Sequence, residues 1–426
     1  MIIPGALMKK KRFVKAFAAF FAVSIIFGGI TFCQQKDLDI SEFYKEIELF
    51  SDAISLVIAN YIDNVKPKEL IYGALKGMLS SLDEYSQFLE PDNFKEMKIE
   101  TEGRFGGLGI EIGTRGGMLT IISPIDGTPA EKAGLKPGDI IVKIDGEITK
   151  NIVLYDAVKN LRGKVGSPVI LSIWREKEER FFDISLVREM IEINSIKEAK
   201  VFEDDIGYVK LVEFQEKTSD ELGKDLDDLM QKNIKGLILD LRNNPGGLLE
   251  SSIDVSDLFL KKGTLIVSTK GKKELHNKEY FSKGIKSFTD ITLVVLVNEG
   301  SASASEIVAG AIKDNKRGIV VGSKTYGKGS VQTVIQLKDE SALRITTAEY
   351  FTPGNYSIQK KGILPDIIVD LETENKNKED EKKDIFEELD EDKETKEKEK
   401  PIDNQIKAAI NIIKAINLEK KNTKVQ

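Results

Sequence analysis

The chain of 426 residues contains a single cysteine, Cys33, and a single histidine, His276. One cysteine excludes a disulfide within the chain and any cysteine cluster for zinc. With His276 set among Lys272, Lys273 and Lys278, most transition-metal sites are excluded as well. No metal and no cofactor are expected. The same scarcity leaves a buried Ser-His-Asp relay without a candidate base. Basic patches with interleaved aromatics are also missing, so nucleic acid is not an expected partner. What is present, 31% charged and 41% hydrophobic residues, is an ordinary globular balance, and the length implies two to three domains with ample core.

The N-terminus carries the one long apolar run. After the KKKR of residues 9–12 and Lys15, an uncharged stretch extends from Ala16 to Cys33, roughly 27 Å as a helix and close to the thickness of a bilayer. A basic flank before an apolar segment is an export signal. No A-x-A-like cleavage site follows it, which favours an uncleaved anchor; Met8 is an alternative start. From Ile40 to Met97 the pattern is helical. Phe43, Ile47, Phe50, Ile54, Val57 and Ile58 recur every three or four residues, and Leu70, Ala74, Met78 and Leu82 do so after Pro67. Such an amphipathic pair is a packing arm or a dimerisation arm.

Phe105 to Val187 is strand-rich. Its GGLGIEI opens a strand behind a glycine turn whose backbone N–H groups, Gly107 to Ile110, are placed to capture a carboxylate, beside a strand edge suited to β-addition of a peptide. Beyond Arg188 strands and helices alternate. Ile206 to Phe214 reads as a strand, Ser219 to Gln231 as a helix, and GLILDLRNNPGG as a buried strand running into a glycine turn, where Asp240 and Arg242 are placed to pair. After Leu371 come about thirty residues rich in Glu, Lys and Asp, a solvated linker by composition. A terminal helix spaced by Ile406, Ala409, Ile410 and Ile413 follows, expected to dock on this chain or on a partner copy.

The stretch Val297 to Gln332 holds the candidate chemistry. An apolar strand, Ile291 to Val297, leads through a loop of small residues into a helical run from Ser305 to Asp314. A serine on that loop meets a helix N-terminus, whose unpaired N–H groups stabilise charge developing on a nearby oxygen. Ser301, Ser303 and Ser305 compete for the role, and residue physics alone does not separate them. Lys328 lies between Gly327 and Gly329, and Gln332, four positions on, shares its face. With histidine excluded a lysine must accept the proton. It does so near neutral pH only when burial lowers its pKa well below the ordinary 10.4 or so, which arginine does not allow.

These strings resemble the carboxyl-terminal processing, or tail-specific, proteases: GSASASEI, then TYGKGSVQ, LRNNPGG, AGLKPGDIIVKIDG and GALKGMLSSLDEYSQFLEP. The resemblance implies that Ser303 is the nucleophile, Lys328 its base, and Gln332 the residue orienting Lys328. It further implies that Gly246 and Ala304 form the oxyanion hole, with Gly247 an alternative donor, and that Asp314 has a supportive role. The unit with Gly107, Leu108, Gly109 and Ile110 resembles a PDZ domain, and Arg162 lies where family members carry an arginine proposed to couple the bound tail to the protease core. TPGNYSIQ, after Phe351, departs from the family's usual spacing. The fold class expected is therefore α/β, a multidomain α+β arrangement. It comprises a membrane-anchor or signal segment (1–33), a helical N-terminal arm (34–104), a PDZ-like β domain (105–187), an α/β protease core with a central β-sheet (188–371), a charged linker (372–401) and a C-terminal helix (402–426). The expected function is a serine endopeptidase with a Ser/Lys dyad, exported to the periplasmic or other extracytoplasmic face and held at the membrane by its anchor. It would cut C-terminal tails of proteins and form a homodimer or higher oligomer through the arm. The rival reading is an inactive PDZ adaptor that binds tails without cutting them.

Overall fold

The computed structural model describes residues 40–372 and 402–425, apart from 203, 286 and 287. The expected membrane segment and all but the first residue of the expected linker lie outside the described residues. The chain divides into two compact units, the first ending at Gly77. In that first unit, α1 (Ile40–Asn60) and most of α2 (Pro67–Ser80) follow the apolar spacing read from the sequence, with Pro67 at the start of α2, where its missing N–H costs nothing. Phe43, Ile47, Phe50, Val57 and Ile58 of α1 are exposed.

The second unit begins with a correction. The helical pattern expected through Met97 is broken by a strand, β1 (Gln87–Leu89), before helix resumes as α3 (Pro91–Glu102). The cause is local. Asp83 Oδ1 accepts the N–H groups of Tyr85 and Ser86, each at 2.8 Å, and this turn competes with helix.

The PDZ-like part is built from β2 (Arg104–Gly107), β3 (Ile110–Arg115), β4 (Met118–Pro124), the single turn α4 (Pro129–Lys132), β5 (Ile140–Ile144), β6 (Glu147–Ile148), α5 (Leu154–Leu161), β7 (Pro168–Arg175), β8 (Arg180–Val187) and β9 (Glu189–Glu192). Its sheet runs β3-β4-β5-β7-β8, so β3 is an edge strand, and β2 pairs with β9 where the chain enters and leaves. Leu119, Ile121, Ile141, Leu171 and Ile173 fill its core with no exposed surface.

The larger part contains β10 (Ile196–Phe202), β11 (Ile206–Leu211), α6 (Thr218–Gln231), β12 (Gly236–Asp240), α7 (Leu249–Asp257), β13 (Leu265–Gly271), β14 (Lys278–Phe281), β15 (Thr292–Val297), α8 (Ala304–Asp314), β16 (Ile319–Gly322), β17 (Ser330–Gln336), β18 (Ala342–Phe351), β19 (Ile367–Ile368) and α9 (Asn404–Val425). The main sheet runs β10-β11-β12-β15-β16-β19, parallel from β11 onward. Every residue of β12 and β15 is buried, as a parallel strand covered on both faces requires. One face packs against α6, α7 and α8. The other is covered by Ile406, Ala409 and Ile413 of α9, so the terminal helix docks on its own chain. Each of the two buried isoleucines contributes about 1.5–3 kcal/mol. The approach is close enough that a Cβ at Gly236 would lie 2.3 Å from Ile413 Cγ2.

At the end of β12 the fully buried Asp240 accepts hydrogen bonds from Tyr208 (2.9 Å), Lys210 (3.0 Å) and Arg242 (2.6–3.1 Å). Arg242 also donates to Asp403 (2.9 Å) and Gln405 (2.8 Å), tying the start of α9 to the loop after β12. A second sheet is organised by the long β18, which pairs with β17 on one side and with β1 and β13 on the other.

Candidate active site

Three loops meet at one place: the loop after β12, the turn from β15 into α8, and the glycine-flanked segment before β17. Ser303 is the N-cap of α8, with φ 53° and ψ −112°. A non-glycine residue there costs of order 1–3 kcal/mol and stays only where its surroundings leave no alternative. The surroundings are Ser301 Oγ donating to Leu241 O (2.8 Å), Ser305 Oγ donating to Asn244 O (2.9 Å) and the Ala302 N–H donating to the same carbonyl (3.0 Å). Those bonds separate the three serines. The hydroxyls of Ser301 and Ser305 are buried and spent on the loop after β12, whereas Ser303 lines an open cleft.

The cleft has a volume of about 650 Å³; Ser303, Lys328, Gln332, Arg344 and Gly247 line it, with Met97, Glu100 and Thr101 of α3 along one wall. The Lys328 amine is half-buried and makes no hydrogen bond or ion pair among the described residues. Its Nζ lies 5.3 Å from the centre of the Tyr85 ring. Burial, and after it the positive charge of Arg344, pushes its pKa below the ordinary lysine value. That is the direction a proton acceptor needs.

Glu306 joins the two halves. Its fully buried carboxylate accepts the N–H of Ser303 (2.9 Å) and that of Lys328 (2.8 Å) on Oε2, and the N–H of Gly327 (2.7 Å) and the Thr325 hydroxyl (2.5 Å) on Oε1. Burial raises its pKa, while the hydrogen bonds from Thr325, Gly327, Ser303 and Lys328 pull the other way. The residue was not singled out from the sequence, although Ser303-x-x-Glu306 is the spacing of a capping box and carried the signal. Tyr85, inside the string GALKGMLSSLDEYSQFLEP, and Arg344 are far away in the chain and were not singled out.

Other expected residues fall elsewhere. Among the described residues Gln332 makes no hydrogen bond to Lys328; its Nε2 donates to Ser330 Oγ (2.8 Å), two residues back. The Gly246 N–H is turned into its own loop, donating to Asn244 Oδ1 (2.9 Å), and so is not free for an oxyanion. Gly246 serves by lacking a side chain, since a Cβ there would come within 2.8 Å of both Ala302 O and Ser303 Cβ. Among the described residues the N–H groups of Gly247 and Ala304 have no acceptor; Ala304 follows Ser303 in the chain, and Gly247 lines the cleft with it. Asp314, at the far end of α8, accepts the Gly354 N–H (2.8 Å) and holds the turn after β18, outside the cleft. His276 lies on the rim of the cleft, and its ring makes no hydrogen bond among the described residues.

In the PDZ-like part Gly107, Leu108, Gly109 and Ile110 form the turn into the edge strand β3. The carbonyls of Leu108 and Gly109 accept from Ala130 (3.0 Å) and Ile125 (2.8 Å). Gly109 has φ +73°, and a Cβ there would clash with Thr128. Arg162, just past α5, is paired with Glu96 of α3 and stacked 4.2 Å from the Phe105 ring, away from Lys328. The next turn of α3 carries Met97, Glu100 and Thr101 into the cleft wall.

Comparison with known proteins finds relatives over most of the chain. Peptidase family S41 matches residues 205–369, the PDZ domain 120–175, and the N-terminal domain of the activating protease CtpB 30–93. The chain is 44% identical over 332 residues to a carboxy-terminal-processing protease of Bartonella bacilliformis, spanning 77% of this chain and 76% of that one. It is 36% identical over 313 residues to a probable CtpA-like serine protease of Staphylococcus aureus, spanning 73% of this chain and 62% of the relative. Among solved structures it aligns with a photosystem II D1 C-terminal processing protease at 32% identity and a TM-score of 0.44, over 76% of this chain and 92% of that one. On the family model over residues 205–369 and the relative that is 44% identical over 77% of this chain and 76% of its own length, the chain belongs to the carboxy-terminal-processing serine proteases of peptidase family S41.

Proposed function

We propose that the chain is a serine endopeptidase in which Ser303 and Lys328 act as a dyad on unstructured C-terminal tails of exported proteins. The observation that carries the reading is that a strained serine and a half-buried, unpaired amine line one cleft and hang from one carboxylate, Glu306. Lys328 Nζ takes the proton of Ser303 Oγ as that oxygen attacks the scissile carbonyl carbon. The oxyanion accepts hydrogen bonds from the N–H groups of Ala304 and Gly247. The protonated amine then gives its proton to the leaving nitrogen as the C–N bond breaks, leaving an ester on Ser303. Water, deprotonated by Lys328, hydrolyses that ester and restores both groups.

The carboxylate-capturing turn Gly107–Ile110 and the edge strand β3 are the proposed binding site for the tail. Export and anchoring rest on the basic-flanked apolar run, and dimerisation on the exposed apolar stripe of α1. Membrane fractionation and sedimentation of the full chain test these two; a fully soluble monomer would count against both. The dyad is tested by cleavage of a tail peptide labelled on both sides of the cut. Ser303→Ala and Lys328→Arg should be inactive, and Ser301→Ala should retain part of the activity. Cleavage by Ser303→Ala at the wild-type rate would remove the assignment, while a wild-type chain that binds tails and cuts none would be the adaptor of the rival reading.

A further inference from the structure

Arg344 is not used by the chemistry above, yet it occupies the same cleft. It stands on β18 opposite Gln87 of β1, and its Nη2 donates to Gln87 Oε1 at 2.8 Å. Its Nε is buried without a partner, and it forms no ion pair among the described residues. A half-buried guanidinium with an unmet donor and no paired carboxylate among the described residues, only the charge of Glu100 in the same cleft, is an expense the fold could avoid with an apolar residue. It also cannot shed its charge, because guanidinium stays protonated. The charged and titratable groups that line the cleft with Lys328 and Arg344 include Glu100, Glu213, Glu250, His276 and Lys278. The Tyr85 ring faces Nζ and favours the ammonium form. Glu306 takes the Lys328 backbone N–H, and Glu100 and Glu213 line the cleft. Arg344 is the cationic neighbour that acts on Lys328 from β18, and its charge disfavours the ammonium form.

We infer that Arg344 is a positioning residue of the reaction, a fixed like charge, steadied by Gln87, that holds the Lys328 amine in its neutral, proton-accepting form. The inference rests on Lys328 being the base. Since the base must be neutral, activity is present above its depressed pKa and is lost as the pH falls through it. Removing the like charge makes the ammonium form easier to keep, so the acid limb of the pH–rate profile moves to higher pH.

The test is the pH dependence of kcat and KM on the labelled tail, with the rate of Ser303 labelling by a fluorophosphonate as a readout free of substrate binding. Wild type, Arg344→Gln, Arg344→Met and Arg344→Lys are compared after their thermal unfolding is shown to be similar. Arg344→Gln and Arg344→Met should lose activity at neutral pH by about fivefold to thirtyfold, the reach of one like charge within the same half-buried cleft. Both should return to the wild-type plateau at alkaline pH with KM unchanged, and Arg344→Lys should keep the wild-type profile. Glu306 titrates in all four proteins, so the difference between profiles reports the Arg344 charge. An acid limb that does not move, or a loss equal at every pH, would overturn the inference while leaving the dyad intact. An active Lys328→Arg enzyme would instead overturn the dyad itself.

Discussion

Replacing Glu306 by glutamine is the most informative single perturbation of the site. Both carboxylate oxygens are in use, Oε1 by Thr325 and Gly327 and Oε2 by Ser303 and Lys328. Three of the four partners are main-chain N–H groups. The Thr325 hydroxyl itself accepts from the Ile363 N–H at 2.6 Å, so its own hydrogen is directed at Glu306. Glutamine keeps the shape but turns one oxygen into an NH2, so whichever way the amide lies two donors face a donor. Two charge-assisted hydrogen bonds are lost, at about 1.5–3 kcal/mol each, or about 3–6 kcal/mol in all. If about half of that appears as misplacement of Ser303 against Lys328, kcat should fall roughly 10–100-fold. The remainder should appear in thermal unfolding as a drop of several degrees. KM should hardly change, because the proposed tail-binding turn belongs to the PDZ-like part and Glu306 to the larger part. The assay is steady-state cleavage of the labelled tail together with a melting curve. Wild-type kcat and wild-type Tm in Glu306→Gln would refute the idea that one carboxylate holds both loops.

Further outcomes follow from other parts of the structure. Burial alone would raise the pKa of Asp240, but the Arg242 hydrogen bonds and the charges of Lys210 and Arg242 hold it below the ordinary value. Its contribution is therefore present above an unfolded value of about 3.9 and is lost as the pH falls through the depressed folded value. Urea unfolding of wild type against Asp240→Asn should show a difference at pH 7 that narrows in strong acid, and a constant difference would contradict it. Gly246→Ala should abolish cleavage through its clash with Ser303 and Ala302, while tail binding persists; an active variant would show that the loop yields. Arg162→Ala and Glu96→Gln should each slow the cutting of short peptides by loosening α3 at the cleft wall, and unchanged short-peptide rates would confine Arg162 to a structural pairing. A tail amidated at its C-terminus should be cut more slowly than the free acid, and equal rates would remove the carboxylate-binding turn.

Much of the architecture is legible in the residues alone. The unbroken apolar run of β12 marks a strand covered on both faces, the 3.6-residue spacing marks α6 and α8, and the scarcity of histidine leaves lysine as the expected proton acceptor. These signals are local, and local signals survive without tertiary context. What the tertiary structure decided is which of three equivalent serines faces the cleft, because that depends on Ser301 and Ser305 finding carbonyls of a loop about 60 residues earlier. It also decided that residues 87–89 pair as a strand with β18 rather than continuing a helix, bringing Tyr85 and Gln87 to the site across more than 250 residues of chain. It turned the Gly246 N–H inward and, among the described residues, left that of Gly247 without an acceptor. Periodicity specifies which faces of an element are buried, but the partner of a polar atom is settled only when distant segments pack, and in this protein the candidate site is made of such partners.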